Sequence, residues 1–105
     1  MKLNEYQDAA KQTAIYPRNE NFAITYTALG LASEAGEVAG KVKKMLRDAV
    51  FSRAECMKEL GDVLWYVAAM AGDLGYTLEE VAEANLNKLN SRKERDQLRG
   101  SGDDR

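Results

Sequence analysis

Two pairs of acidic residues occur at helical spacing within apolar surroundings. Glu34 and Glu37 lie in the stretch ASEAGEVAGKVKK, and Glu59 and Asp62 lie in KELGDVLWY. Residues three positions apart share one side of a helix, so each pair can direct both carboxylates to one point. Four carboxylates around a small volume would repel one another, and a cation would remove that repulsion. Because the ligands would be oxygens, the pattern favours Mg²⁺, or Mn²⁺, over Zn²⁺.

The alternative interpretation is that these acids are ordinary solvated residues. Acidic pairs at this spacing are common on exposed helix faces, and Glu37 with Lys41 would form a simple i, i+4 ion pair. The sequence contains two matched pairs, however, and each stands at the edge of the most apolar arc of its helix. The repetition strengthens the case for a site, but spacing alone leaves both interpretations open.

Composition restricts the chemistry that the chain can perform. The 105 residues include no histidine and one cysteine, which excludes His-based acid–base catalysis and an intrachain disulfide. The net charge of -2 argues against a nucleic-acid binder. The sequence has no apolar run long enough to span a bilayer, and its N-terminus lacks the apolar core of a signal peptide. We therefore expect a cytoplasmic protein that binds neither nucleic acid nor membranes.

The elements that must position the acids are helices. Helical periodicity runs through the chain, and sustained strand-like alternation does not occur in the sequence. The predicted helices span residues 4–15, 22–47, 52–74 and 77–92. Their boundaries are marked by Asn4 as a cap and Pro17 as a stop, by the capping boxes Ser52–Glu55 and Thr77–Glu80, and by Gly75 as a C-terminal cap.

Four helices joined by short links predict an all-α domain, a four-helix bundle, over residues 1–92. If the second and third helices pack antiparallel, both acidic pairs face one cleft. The charged tail, residues 93–105, has no apolar face beyond Leu98, so we expect it to be disordered. A chain this short also gains stability from oligomerisation.

The same residues carry a family resemblance. GLASEAGEVAGKVKK followed by KELGDVLWYVAAMAGDLGYTLEEVAEANLNKL resembles the MazG-like nucleotide pyrophosphohydrolases, and the resemblance covers residues 3–92. Members of that family are all-α enzymes with E-x-x-E on one helix and E-x-x-D on the next. E-x-x-E alone is a weak signal, but the joint pattern, with the Gly-Leu-Ala lead-in and ELGDVLWY, is specific.

The resemblance implies Mg²⁺-dependent hydrolysis of nucleoside triphosphates to the monophosphate and pyrophosphate, in the service of nucleotide-pool housecleaning. It also implies a homo-oligomer, either a dimer or a dimer of dimers. By motif position, the metal-binding and catalytic residues would be Glu34, Glu37, Glu59 and Asp62. The fuller family pattern is often E-E-x-x-E. Ser33 occupies its first position here, which leaves the number of metal ions open.

The resemblance also indicates residues that bind the substrate. Tyr66 matches a position that contacts the nucleotide in some relatives, and Asn85 and Lys88 match a stretch near the phosphates. Lys41 lies on the acidic side of the second helix and would touch phosphate, unless it is a solvated lysine paired with a glutamate. For Trp65 we expect a subunit interface or, as the alternative, the base pocket.

Two other functions remain compatible with the sequence. One is a related pyrophosphohydrolase on the same scaffold, acting on phosphoribosyl-ATP or dUTP. The other is a non-enzymatic helical module that binds a partner, in which case the acids would be solvated. A response of the folded protein to Mg²⁺ separates the enzymes from the module, because only a preformed carboxylate site is stabilised by the ion.

Overall fold

The computed structural model describes the backbone of residues 1–105 and every side chain except that of residue 20. The described backbone contains four α-helices and no strand, which confirms the predicted all-α class. Within the described residues, none of these helices combines the length and the apolar character needed to cross a membrane. The helices are α1 (Leu3–Lys11), α2 (Glu20–Asp48), α3 (Arg53–Asp73) and α4 (Leu78–Glu94).

An antiparallel hairpin of α2 and α3 forms the centre of the fold. Small side chains are buried on both helices: Ala23 and Thr27 on α2, and Ala68 and Ala71 on α3. Small residues at a helix contact allow the two axes to approach closely. Further along the hairpin, buried Met45 brings its sulfur to 3.9 Å from the sulfur of Cys56, so this cysteine is a packing residue.

Local capping signals in the sequence predicted several helix ends correctly. Thr77 with Glu80 forms the predicted capping box for α4, with both of its hydrogen bonds present. At the start of α3 the Ser52 hydroxyl accepts from the backbone N–H of Glu55, so the predicted cap is present, but between these two described residues the reciprocal bond from the Glu55 side chain is not. At the end of α3, Gly75 has a positive φ of 86°. The N–H groups of Gly75 and Tyr76 donate to the carbonyls of Gly72 and Ala71, which is a Schellman motif.

The prediction for the first helix is wrong at both ends. Helix α1 ends at Lys11, and residues 12–19 form a loop, the α1–α2 loop, with Ile15 95% exposed. Asn4 lies inside α1, and its Oδ1 accepts from the backbone N–H of Glu79 at 3.0 Å. The side chain of Asn4 therefore caps the start of α4 and not the start of α1. It can do so because α1 packs against α4.

The protomer is open rather than compact. Helices α1 and α4 contact α3 and each other, and within the described residues neither helix contacts α2. The radius of gyration is 16.3 Å, against about 13 Å for a compact domain of this length. Large apolar side chains are exposed on every helix, among them Leu3, Leu29, Leu46, Leu60, Leu64, Leu86 and Leu89.

The tail follows α4 closely in the structure. The guanidinium of Arg92 is buried and donates to the backbone carbonyl of Asp103, while the carboxylate of Asp103 accepts from Lys88 at 3.2 Å. Arg105 donates to backbone carbonyls of residues 97, 98 and 102. The disorder expected from the tail's composition stays a prediction.

Candidate active site

Three of the four predicted acids converge where α2 and α3 cross. One carboxylate oxygen from each of Glu34, Glu59 and Asp62 lies within 4.8 Å of the other two. Glu34 comes from α2, whereas Glu59 and Asp62 come from successive turns of α3. The antiparallel hairpin therefore brings these three carboxylates to one point, as the spacing predicted. We call them the acidic cluster.

Glu37 lies outside the acidic cluster. Its side chain is exposed, one turn further along α2 than Glu34. Its charge is still close enough to contribute to the raised pKa of Glu34. Glu37 thus belongs to the electrostatic surroundings of the cluster in this structure.

The acidic cluster is electrostatically strained without a cation. Partial removal from water raises the pKa of Glu34 above its usual value, and the charges of Asp62, Glu59 and Glu37 raise it further. The donors are carboxylate oxygens, which are the ligands that Mg²⁺ and Mn²⁺ prefer. Ligand type and mutual repulsion both fit a divalent ion of this kind.

An open pocket of about 360 Å³ adjoins the acidic cluster. Glu34 and Asp62 form its acidic side. The remaining lining residues are Thr13, Ile15, Tyr16, Tyr26, Trp65 and Tyr66. We call the four rings of this set, those of Tyr16, Tyr26, Trp65 and Tyr66, the aromatic wall.

Each ring of the aromatic wall contacts at least one other ring of the wall. Tyr16 stacks on Tyr26 with centroids 4.8 Å apart, and Trp65 meets Tyr66 edge-on at 4.9 Å. Burial, the neighbouring Tyr26 and the nearby acids Glu34 and Asp62 raise the pKa of Tyr66, so its phenol stays neutral. Tyr66 lies beside Glu34 and Asp62 in this pocket, and Trp65 lines the same pocket. The subunit interface and the base pocket expected for Trp65 both stay predictions.

Gly30 belongs to the Gly-Leu-Ala lead-in of the motif, but its contact with Tyr66 was not predicted. A Cβ atom at Gly30 would overlap the ring of Tyr66, which crosses α2 at this point. The signal was visible as a glycine inside a long helix, where glycine is otherwise unfavourable. Tyr16 and Tyr26 were also missed, and their role had no local signal because it depends on how the α1–α2 loop packs.

The other predicted substrate contacts lie elsewhere in the protomer. Lys41 lines a separate groove with Lys44 and Asp48, toward the far end of the hairpin. Asn85 and Lys88 line a groove on α4. Among the described side chains of one protomer, Tyr66 is the predicted substrate contact that shares a pocket with the acidic cluster.

The all-helical fold is consistent with an all-α nucleotide pyrophosphohydrolase domain. Residues 22–95 match the family model described as the MazG nucleotide pyrophosphohydrolase domain, so the chain belongs to that family. The chain is also 46% identical to "Gene 37 protein" of Mycobacterium phage L5 over 114 aligned positions, which cover 100% of both chains. No solved structure matches the chain with statistical significance.

The acidic cluster predicts opposite effects of one substitution with and without metal. Glu34→Gln should raise the melting temperature of the metal-free protein near neutral pH, because it removes one of the repelling charges. The same variant should lose the stabilisation by Mg²⁺, which for an intact site at 100 times Kd is about 2.7 kcal/mol. Thermal melts with and without Mg²⁺ measure both effects.

Glu83→Gln, on an exposed part of α4, is the control and should behave as the wild type.

The raised pKa of Glu34 means that the folded protein binds a proton at this carboxylate at a higher pH than the unfolded chain does. Falling pH should therefore relieve the repulsion and, in the same interval, weaken Mg²⁺ binding, since the ion needs the ionised carboxylate. A Glu34→Gln protein that still responds to Mg²⁺ would contradict this site.

Gly30→Ala should destabilise the protein and damage the pocket. The new methyl group must displace the Tyr66 ring, which we expect to lower the free energy of unfolding by about 1–3 kcal/mol. Urea denaturation measures this value.

Gly36→Ala is a matched control in the same helix, because a Cβ there meets no atom within 4 Å among the described residues. It should stabilise α2 by up to about 1 kcal/mol. Equal effects of the two substitutions would contradict the contact with Tyr66.

Proposed function

We propose that this protein hydrolyses nucleoside and deoxynucleoside triphosphates to the monophosphate and pyrophosphate, with Mg²⁺ or Mn²⁺ as the cofactor, in nucleotide-pool housecleaning. The observation that carries the proposal is the direct contact between the acidic cluster and the aromatic pocket, which share Glu34 and Asp62. Membership in the MazG nucleotide pyrophosphohydrolase family supports the reaction class.

The acidic cluster would hold the divalent ion through Glu34, Glu59 and Asp62. Glu37 is exposed one turn away, and we assign it the fourth ligand position, which it would reach by a change of rotamer. Bound there, the ion would neutralise charge on the phosphates and lower the pKa of the attacking water. The carboxylates themselves orient that water and accept its proton, since the chain has no histidine for this role.

The aromatic wall would bind the nucleobase by stacking. Stacking on Tyr66 and Trp65 requires only the π-face that every base has, so it tolerates different bases. The pocket therefore suits canonical and altered nucleoside triphosphates alike. Because the phenol of Tyr66 stays neutral, it can also donate a hydrogen bond to the substrate.

We assign the phosphate contacts Asn85 and Lys88 to a second copy of the chain. Both residues line a groove on α4 that is separate from the pocket of their own protomer. The open shape and the exposed leucines support a homodimer, or a dimer of dimers, that covers this surface. Lys41 stands two turns beyond Glu34, about 10 Å along α2, which is within reach of an extended triphosphate chain.

Pyrophosphate release from a panel of nucleotides tests the reaction. The panel includes the common NTPs and dNTPs, dUTP and phosphoribosyl-ATP, each with and without Mg²⁺. Release should require the ion, and Glu59→Gln should lower kcat by about 100-fold or more, because it removes a charged ligand. Glu83→Gln serves again as the control.

Activity confined to dUTP or to phosphoribosyl-ATP would replace the broad substrate range by that single substrate. Absence of release from every nucleotide, by a folded protein that ignores Mg²⁺, would refute the enzyme and leave a helical interaction module.

Leu89→Lys tests the oligomer. Leu89 is exposed one turn beyond Asn85, so a charge there should raise the dimer Kd by about tenfold or more if this face is buried. Light scattering coupled to size exclusion measures the mass over a range of concentrations. Leu98→Lys, an equally apolar exposed position in the tail, is the control and should leave the mass unchanged. A wild-type protein that runs as a monomer would contradict this assignment.

A further inference from the structure

The α1–α2 loop forms one side of the aromatic pocket. Thr13, Ile15 and Tyr16 of this loop line the pocket together with residues of α2 and α3. The loop lies outside residues 22–95, the segment that matches the family model. None of the loop residues belongs to the E-x-x-E or the E-x-x-D motif, so those motifs do not describe this side of the pocket.

One carboxylate, that of Asp73, holds the loop. Its side chain is only 6% exposed, at the last turn of α3. One oxygen accepts from the hydroxyl of Tyr16 at 2.6 Å, and the other accepts from the guanidinium of Arg18 at 2.8 Å. The same guanidinium lies 4.9 Å from the centroid of the Tyr16 ring. Asp73 thus binds both residues that flank Pro17, whose ring restricts the backbone between them.

The position of the loop is transmitted to the aromatic wall. Tyr16 is 7% exposed, stacks on Tyr26 and meets the edge of Trp65 with centroids 6.4 Å apart. The indole N–H of Trp65 donates to the hydroxyl of Thr13 at 2.8 Å. Three of the four rings therefore belong to the loop or contact it directly, so a shift of the loop changes the shape of the pocket.

Asp73 itself is too far from the acidic cluster to act on the phosphates. It stands three turns beyond Asp62 on α3, about 16 Å along the helix axis. Both of its carboxylate oxygens also accept hydrogen bonds, one from Tyr16 and the other from Arg18. Any effect of Asp73 on the reaction must pass through the loop.

We propose that Asp73 is a positioning residue: through Tyr16 and Arg18 it holds the α1–α2 loop as a wall of the nucleotide pocket and thereby sets the affinity for the nucleobase. The role in nucleotide affinity rests on the proposed function. The holding of the loop does not, because it is defined by contacts within the protein. The two parts can therefore be measured separately.

The test compares Asp73→Asn with the wild type in the full-length protein. Asp73→Asn keeps the size of the side chain and removes its charge, so the loop loses its ion pair. We expect the KM for nucleoside triphosphates to rise by about tenfold with kcat unchanged, the pattern of lost ground-state binding. Stabilisation by Mg²⁺ should persist, because the acidic cluster is intact.

Trp65 supplies a readout that needs no nucleotide. It is the single tryptophan of the chain and contacts both Thr13 and Tyr16. Release of the loop should increase quenching of its fluorescence by acrylamide. Tyr16→Phe removes one hydrogen bond to Asp73 and keeps the ring, so it should change KM and quenching in the same direction by a smaller factor.

Asp48→Asn is the matched control, because it removes the carboxylate of an exposed ion pair with Arg47 at the end of α2. It should match the wild type in KM and in quenching. Unchanged KM and unchanged quenching in Asp73→Asn would overturn the proposal, and so would a fall in kcat at constant KM. If Asp73→Asn fails to fold by circular dichroism, Tyr16→Phe decides on the same criteria.

If the wild-type protein releases no pyrophosphate from any nucleotide, the proposed function fails, and quenching still decides the anchoring. Increased quenching in Asp73→Asn would then support the holding of the loop. Unchanged quenching would overturn it.

Discussion

Repulsion among the carboxylates of the acidic cluster is the constraint on which the rest of the structure depends. Two helices must cross closely enough to bring Glu34 within 4.8 Å of Glu59 and Asp62, although the three charges oppose the approach. The small residues buried along α2 and α3 favour that approach because they bring the helix axes together. The packing of the hairpin thus holds the three carboxylates in place, and a bound divalent ion would remove the remaining repulsion.

The same hairpin creates the apolar half of the pocket. Tyr66 follows Asp62 by one turn of α3 and crosses α2 at Gly30, so one glycine determines how far the ring reaches. The rings of Tyr16 and Tyr26 then extend the surface away from the acids. A charged side and an aromatic side of the pocket therefore lie next to each other on α2 and α3, and the α1–α2 loop adds Tyr16 to the aromatic side.

The protomer leaves much of its apolar surface uncovered. Helix α3 contacts each of the other helices, whereas within the described residues α2 contacts neither α1 nor α4. The buried core of the protomer is therefore small, and short chains with a small core commonly gain stability by association. Helix α4 carries the exposed Leu86 and Leu89 as well as the groove with Asn85 and Lys88, which links the proposed oligomer to the proposed phosphate contacts.

Local chemistry was sufficient to predict the helices, the caps at Ser52, Thr77 and Gly75, and the cluster of three acids. Each of these features depends on residues a few positions apart, or on two helices joined by a short link. The partner of Asn4, the end of α1, the separation of Glu37 from its neighbours and the anchoring of the loop by Asp73 had no such signal. The contacts of Asn4 and Asp73 join residues 55 or more positions apart, and only the packed chain brings such residues together.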